Sequence, residues 1–325
     1  MKWKDRLLSS SIPLEFEVGK LLAENNFIVD YDYSYKRLDS QEQKEFSIDI
    51  KAGGYYPFET DSEIKLSIDF LIECKHRNPN VSWLFFEDFN HEDFKSSSFR
   101  GVVKLFEECT EYHSLSSGIS LPLADSCLKG VEINSKTGEV HDKGIVHGIN
   151  QLMYGLPVLL NRNLKYNLID HLDDVYPFII CPILATTAEL RVLNSDFSMK
   201  NLSQAKDLEE ISKTVPFVKY YTTSYPSFEE HCKNVFKKLS NYSNKERRKY
   251  YESLKKNDIS NLEEALSKPF YRSPHTLLST LEYGAGNDAF NETMICNFKH
   301  LPLLIKKVKE NIRLLGDTLE KLGSS

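Results

Sequence analysis

The chain has 325 residues, 41% hydrophobic and 27% charged, enough for one large domain or two smaller ones around a sizeable core. Its net charge of −6 excludes a surface that is basic overall, so a polyanion partner would have to meet a local basic patch. Its six cysteines (Cys74, Cys109, Cys127, Cys181, Cys232, Cys296) include no C-x-x-C pair, which argues against a zinc ribbon or redox pair and suits a reducing compartment.

The N-terminal stretch MKWKDRLLSSSIPLEFEVGK lacks the apolar core of a signal peptide. The longest apolar run, FIICPILA at 178–185, is far too short to span a bilayer. A soluble cytoplasmic protein without membrane contact is expected.

Residues 11–27 read as a helix. Ser11 stands at its cap, Ile12 and Pro13 open the first turn, and Glu15 suits the positive end of the helix dipole. Leu14, Val18, Leu21 and Leu22 make the apolar stripe, and Asn25-Asn26 ends it. FIVDYDYSYKR, rich in aromatic and β-branched residues, reads as a strand. FSIDIKAGG, 46–54, reads as a second strand stopped by its double glycine. Strand alternation puts Phe46, Ile48, Ile50 and Ala52 on one face, with Ser47, Asp49 and Lys51 on the other.

LSIDFLIECKHRN, 66–78, contains a third strand. Leu66, Ile68, Phe70, Ile72 and Cys74 line one face, and Ser67, Asp69, Leu71, Glu73 and Lys75 the other. A helix is expected around GVVKLFEECTEYH, and a hairpin in VEINSKTGEV with its turn at Ser135–Gly138. Asp142 is placed to cap a helix over KGIVHGINQLMYGLPVLLNRN, and a buried strand, a turn and another strand follow in VYPFIICPILATTAELRVLN. VPFVKYYTT reads as a strand, for which Pro216 suggests a sheet edge. This alternation implies an α/β sheet covered on both faces. From residue 227 the texture turns helical, ending in LPLLIKKVKENIRLLGDTLEKL with Ile305, Val308, Ile312, Leu315 and Leu319 near one face. The division is therefore set at 1–226 and 227–325.

Carboxylates on neighbouring strands, Asp49 and Glu73, suit a hard cation such as Mg²⁺, which takes oxygen ligands and keeps several waters. The Cys74 carbonyl would add a ligand, and Lys75 on the Glu73 face would orient an attacking water or neutralise charge at phosphorus. The bland reading of Glu73 and Lys75 is a surface ion pair. Glu15 has its own, a first-turn acid favoured by the dipole.

Asp49 followed by Glu73-Cys74-Lys75 on the next strand, behind an acidic helix, resembles the PD-(D/E)XK nuclease superfamily. The resemblance runs by element order over residues 10–195. It implies a restriction-endonuclease-like central mixed sheet flanked by helices, here with a helical C-terminal region. It also implies a metal-dependent nuclease with Asp49, Glu73, Lys75 and Glu15 as catalytic residues. Asp49, Glu73, Cys74 and Glu15 would hold Mg²⁺, with Mn²⁺ as the alternative, and Glu17 and Asp69 are rival acids. The implied substrate is nucleic acid, DNA first, in restriction or another defence against foreign DNA. A homodimer through the C-terminal helices and a protein partner in a defence system are the associations to look for. The alternative is a module of the same fold that binds nucleic acid or a protein without cutting.

Gln151 and Tyr154 loosely resemble a glutamine–tyrosine element of some members, but are read first as packing a helix onto the sheet. His76 is read as a packed or solvent side chain, and His141 and His147 receive no role. The basic run Lys237, Lys238, Lys245, Arg247, Arg248, Lys249, Lys255 and Lys256 is either a solvated face or, with Tyr250 and Tyr251, a phosphate-contacting one.

Overall fold

The structure is a computed structural model that describes residues 2–39, 42–58, 66–88, 104–105, 125–166, 178–237 and 290–323. Two helices, α1 (Lys2–Leu8) and α2 (Ile12–Glu24), precede three antiparallel strands, β1 (Ile28–Asp39), β2 (Glu42–Tyr56) and β3 (Leu66–Lys75). Next come β4 (Val81–Glu87), β5 (Lys104–Leu105), β6 (Ser126–Asn134), β7 (Val140–His141) and the long helix α3 (Lys143–Lys165). The rest comprises β8 (Phe178–Thr186), β9 (Glu189–Leu193), α4 (Met199–Gln204), β10 (Ser212–Thr214), β11 (Phe217–Tyr221), α5 (Pro226–Phe236), β12 (Glu292–Asn297) and α6 (Leu301–Gly323).

The strands form one mixed sheet in the order β1-β2-β3-β8-β12-β11-β6-β4-β9-β10, with β5 on β8 and β7 on β6. β8 runs parallel to both β3 and β12 and is buried along its whole length, as a central strand covered on both faces must be. The chain is thus α/β with a large mixed sheet flanked by helices. On one face α3 and α5 pack through Ile149, Leu152, Leu156 and Phe228 against Leu71, Phe85 and Leu184. On the other, Val18 and Leu22 of α2 and Leu304, Ile305 and Val308 of α6 cover Ile68, Phe70, Ile72 and Ile183.

β2 departs from simple alternation. Phe46 and Ile48 pack with the α3 side, whereas Ile50 and Ala52 pack with the α2 and α6 side. An undistorted strand would keep all four on one face, as the sequence suggests. The switch falls where Asp32 of β1 takes the left-handed conformation (φ 56°) and the Asp32–Asp49 rung is missing from an otherwise regular ladder. β2 also runs through its double glycine to Tyr56 instead of stopping there. At Gly54 a Cβ would come within 2.6 Å of the Phe27 ring, so this glycine makes room for an aromatic contact.

Other expectations change for local reasons. Pro216 lies just outside β11, its carbonyl accepting the Asn297 N–H at 3.2 Å, so β11 sits inside the sheet between β12 and β6 and is not an edge. Lys104 and Leu105, expected in a helix, pair with β8, and the remainder of that stretch lies outside the described residues. The stretch after 226 is not helical throughout. It supplies β12 to the middle of the sheet and packs α6 on the body through Leu301, Leu304, Ile305, Val308 and Ile312. Leu315 and Leu319 have side chains outside the described residues, and so does the basic run apart from exposed Lys237. The expected buried strand, turn and strand appear as β8 and β9, and the expected hairpin turn separates β6 from β7. No helix among the described residues is long and apolar enough to cross a membrane.

Candidate active site

The β2–β3 ladder ends at the rung Ile50–Ile72. Beyond it the strands part, and the Asp49 side chain replaces the lost rung: its Oδ2 accepts the Cys74 N–H at 2.7 Å. The N–H and C=O of a strand residue lie on the same edge, so the Cys74 carbonyl faces the same gap.

β3 alternates as expected, with Cys74 on the α2 side and Glu73 and Lys75 on the α3 side. Glu73 is 1% exposed, which excludes the surface ion pair. Its Oε1 accepts Lys75 Nζ at 2.5 Å and the Asp49 N–H lies close enough to favour its charge, while its Oε2 is buried with no hydrogen bond of normal geometry. Such an orphaned acceptor costs roughly 1–3 kcal/mol or more when charged, and calls for a cation or donor.

The α3 helix completes this side. Gln151 Oε1 accepts from Lys75 Nζ at 3.1 Å, and its Nε2 donates to the Ser47 carbonyl at 3.1 Å. Gln151 is therefore the brace that spans β2 and the lysine, not a mere packing residue. Tyr154 lies one turn on, with its hydroxyl 3.0 Å from Ser227 Oγ. The close approach of α3 depends on Gly148, where a Cβ would sit 2.6 Å from Leu184 and 3.4 Å from Lys75 Cε.

The electrostatics mark the same cluster. Burial, reinforced by Asp49 and opposed by Lys75, raises the Glu73 carboxyl to about 7. Burial also raises Asp49, against the lowering pull of the Cys74 N–H and Lys75. Glu15 is raised by burial and by the charges of Asp49 and Asp32, so the α2 acid shares the field of the site. The Cys74 thiol, buried among Asp49, Glu73 and Glu15, is held well above its usual range and is not a nucleophile.

The structure thus brings Asp49, Glu73, Cys74, Lys75 and Glu15 to the C-terminal end of β3, where β2 leaves the ladder at its midpoint. Ser11, expected as a cap, makes no side-chain bond to its helix; its Oγ accepts the His76 N–H at 3.3 Å and pins α2 beside the strand end. Asp69 is engaged elsewhere, with Lys51 at 3.2 Å and Asn163 at 2.7 Å. His147, given no role from sequence, has its pKa lowered by burial and by the charges of Lys75 and Arg37, which marks it as a neighbour of the site. Its spacing of four from Gln151, one face of a helix, was the available signal.

A donor set of carboxylates and one strand carbonyl, with an unsatisfied Glu73 oxygen, fits a hard cation that retains waters. Among the described residues no three His, Cys, Asp or Glu side chains are grouped so that they could hold a metal ion, so a cation here would rest on two carboxylates, the strand carbonyl and water. Comparison with protein-family models, curated proteins and solved structures finds no match to the chain.

Proposed function

We propose that the chain is a Mg²⁺-dependent nuclease with a restriction-endonuclease-like fold. The observation that carries this reading is the pairing of Asp49 on the Cys74 N–H with a Glu73 carboxylate left half-unsatisfied beside Lys75. The order of α2, β1, β2, β3, then α3 across the site and β8 beside β3, supports it.

Asp49, Glu73 and the Cys74 carbonyl would hold the ion, with Glu15 close by. When bound, Mg²⁺ (or Mn²⁺) supplies Lewis-acid polarisation of a phosphoryl oxygen and a more acidic water. Lys75, fixed between Glu73 and Gln151, orients the attacking water or offsets charge developing on phosphorus. Gln151 keeps the ammonium from swinging away, and Asp49 tethers β2 to β3 across the gap where their ladder ends. No side-chain nucleophile is required. DNA is the substrate taken by this reading, in restriction or another defence role, with a homodimer or protein partner as its setting.

The test is incubation of the purified chain with plasmid, linear and single-stranded DNA and RNA, in Mg²⁺ or EDTA, beside Glu73→Ala and Lys75→Ala. Metal-dependent cutting lost in both variants supports the reading. Cutting that survives both removes the site from the reaction, and binding without cutting on any substrate favours a non-cleaving module.

A further inference from the structure

We propose that Arg37 is a nucleic-acid contact that grips a backbone phosphate flanking the one being cut. The proposal rests on the nuclease reading above and adds to it a residue outside the acidic cluster.

Arg37 lies in β1 and is half-buried. Its guanidinium carbon is 3.9 Å from the centroid of the Phe46 ring and 4.5 Å from that of Tyr154. One ring comes from β2 and the other from α3, so the cation is held across the cleft between hairpin and helix. Tyr154 is itself fixed, edge-on to Phe228 at 5.4 Å and hydrogen-bonded through its hydroxyl to Ser227.

Both rings contact the guanidinium and neither accepts its N–H groups in the plane. A guanidinium carries five such donors in a rigid fork that matches phosphate oxygens. Among the described residues, no carboxylate lies within ion-pair distance of Arg37 and no acceptor takes its hydrogen bonds. A charged fork held rigid by aromatic contacts, with its donors uncommitted, loses little entropy when an anion arrives.

Its position selects the anion. Tyr154 follows Gln151 by three residues, roughly 4.5 Å along the helix axis, so Arg37 meets α3 about one turn from the residue that braces Lys75. Its charge also reaches His147 and Tyr35, and the Tyr35 hydroxyl donates to the Gln151 carbonyl at 3.2 Å. A strand with one phosphate at Lys75 would pass a further phosphate along its backbone to Arg37. The competing role is a strut that fastens the hairpin to α3.

The two roles separate in a salt titration. Binding of a short fluorescein-labelled DNA, single-stranded and duplex, is followed by anisotropy in EDTA for the wild type, Arg37→Gln, Arg37→Lys and Arg37→Ala. Thermal melting is recorded for each. Arg37→Gln keeps a planar group between the rings and removes the charge. The expected result is about tenfold weaker binding for Arg37→Gln, with the slope of log affinity against log salt reduced by about one and the melting midpoint kept. Arg37→Lys should retain the slope. Wild-type slope and affinity in both the Gln and Ala variants, with Mg²⁺-dependent cutting by the wild type, overturn the Arg37 contact alone. A wild type that neither binds nor cuts DNA overturns the contact and the nuclease reading together.

Discussion

Asp49 Oδ2 takes the Cys74 backbone N–H at 2.7 Å, at the point where the β2–β3 ladder ends. The same carboxylate thus closes the backbone of one strand and faces the gap where a cation would sit. Asp49→Asn keeps an oxygen for the N–H and removes the charge. We expect it to fold and melt close to the wild type and to lose cutting by roughly two orders of magnitude or more. A plasmid-nicking assay beside a thermal melt checks both halves; a variant that cuts at the wild-type rate would remove Asp49 from the site.

Glu73 gives a pH prediction. Its folded-state carboxyl lies at about 7, above its ordinary value of 4.5, because burial and Asp49 disfavour the charge. The folded state then binds the proton more tightly than the unfolded state. The stability Glu73 contributes is full below pH 4.5 and is lost as pH rises through 7. Glu73→Gln should match the wild type at low pH and exceed it by roughly 1–3 kcal/mol in alkaline buffer, without activity. Denaturant titrations across this range measure the difference. Cutting by the wild type should fall in acid, where protons compete with the cation for Glu73.

Gln151→Ala removes both the acceptor for Lys75 and the donor to Ser47. Misplacement of a catalytic group by about 1 Å is enough to lower rates up to roughly 100-fold. We expect kcat to fall about ten- to a hundredfold, KM to change little, and stability to drop by about 1 kcal/mol. Steady-state kinetics on a defined oligonucleotide tests this, and an unchanged kcat would return Gln151 to a packing role.

Gly148→Ala sets a methyl 2.6 Å from Leu184 and 3.4 Å from Lys75 Cε. Relief requires α3 to move off the sheet, at a cost of about 1–3 kcal/mol. A lowered melting midpoint together with a reduced rate is the expected signature, since the same shift draws Gln151 away from Lys75.

Glu132 anchors the other end of the site. It is 3% exposed, pairs with Arg77 two residues beyond Lys75, and accepts the Gly144 N–H in the first turn of α3 at 2.7 Å. Burial alone would raise its pKa, but the hydrogen bonds and charge of Arg77 hold it below the ordinary value. Glu132→Ala strands Arg77 and should cost roughly 3–5 kcal/mol in a denaturant melt. A loss below about 1 kcal/mol would mean that Arg77 finds solvent instead.

The α/β class, the helix with Leu14, Val18 and Leu22, and the two faces of β3 were legible in the sequence because regular alternation and helical spacing record burial directly. Asp49, Glu73 and Lys75 could be picked out because alternation sets them on the polar faces of neighbouring strands, whereas Glu15 was named only through the family resemblance. The gathering of Gln151 and His147 was not legible, since it depends on where a helix distant in sequence crosses the sheet. Nor could alternation reveal that Ile48 and Ile50 face opposite sides, because the switch falls at a local break in the ladder, opposite the left-handed Asp32, that no side-chain pattern records. Pro216 misled for a smaller reason: one residue outside a strand, a proline imposes nothing on its place in the sheet.

The switch at Asp32 also divides the β1–β2 ribbon into a root geared to α2 and α6 and an arm geared to α3. A lever moves least at its fulcrum. Asp49 stands opposite that fulcrum, whereas Arg37 rides five residues out along the arm, roughly 16 Å away at the usual strand rise. Phe46 and Tyr154 tie Arg37 to α3, so any tilt of the arm would have to carry its contacts with that helix, while Asp49 stays beside the fulcrum. In the nuclease reading, a single hairpin would then divide the grip on the substrate from the placement of the cation.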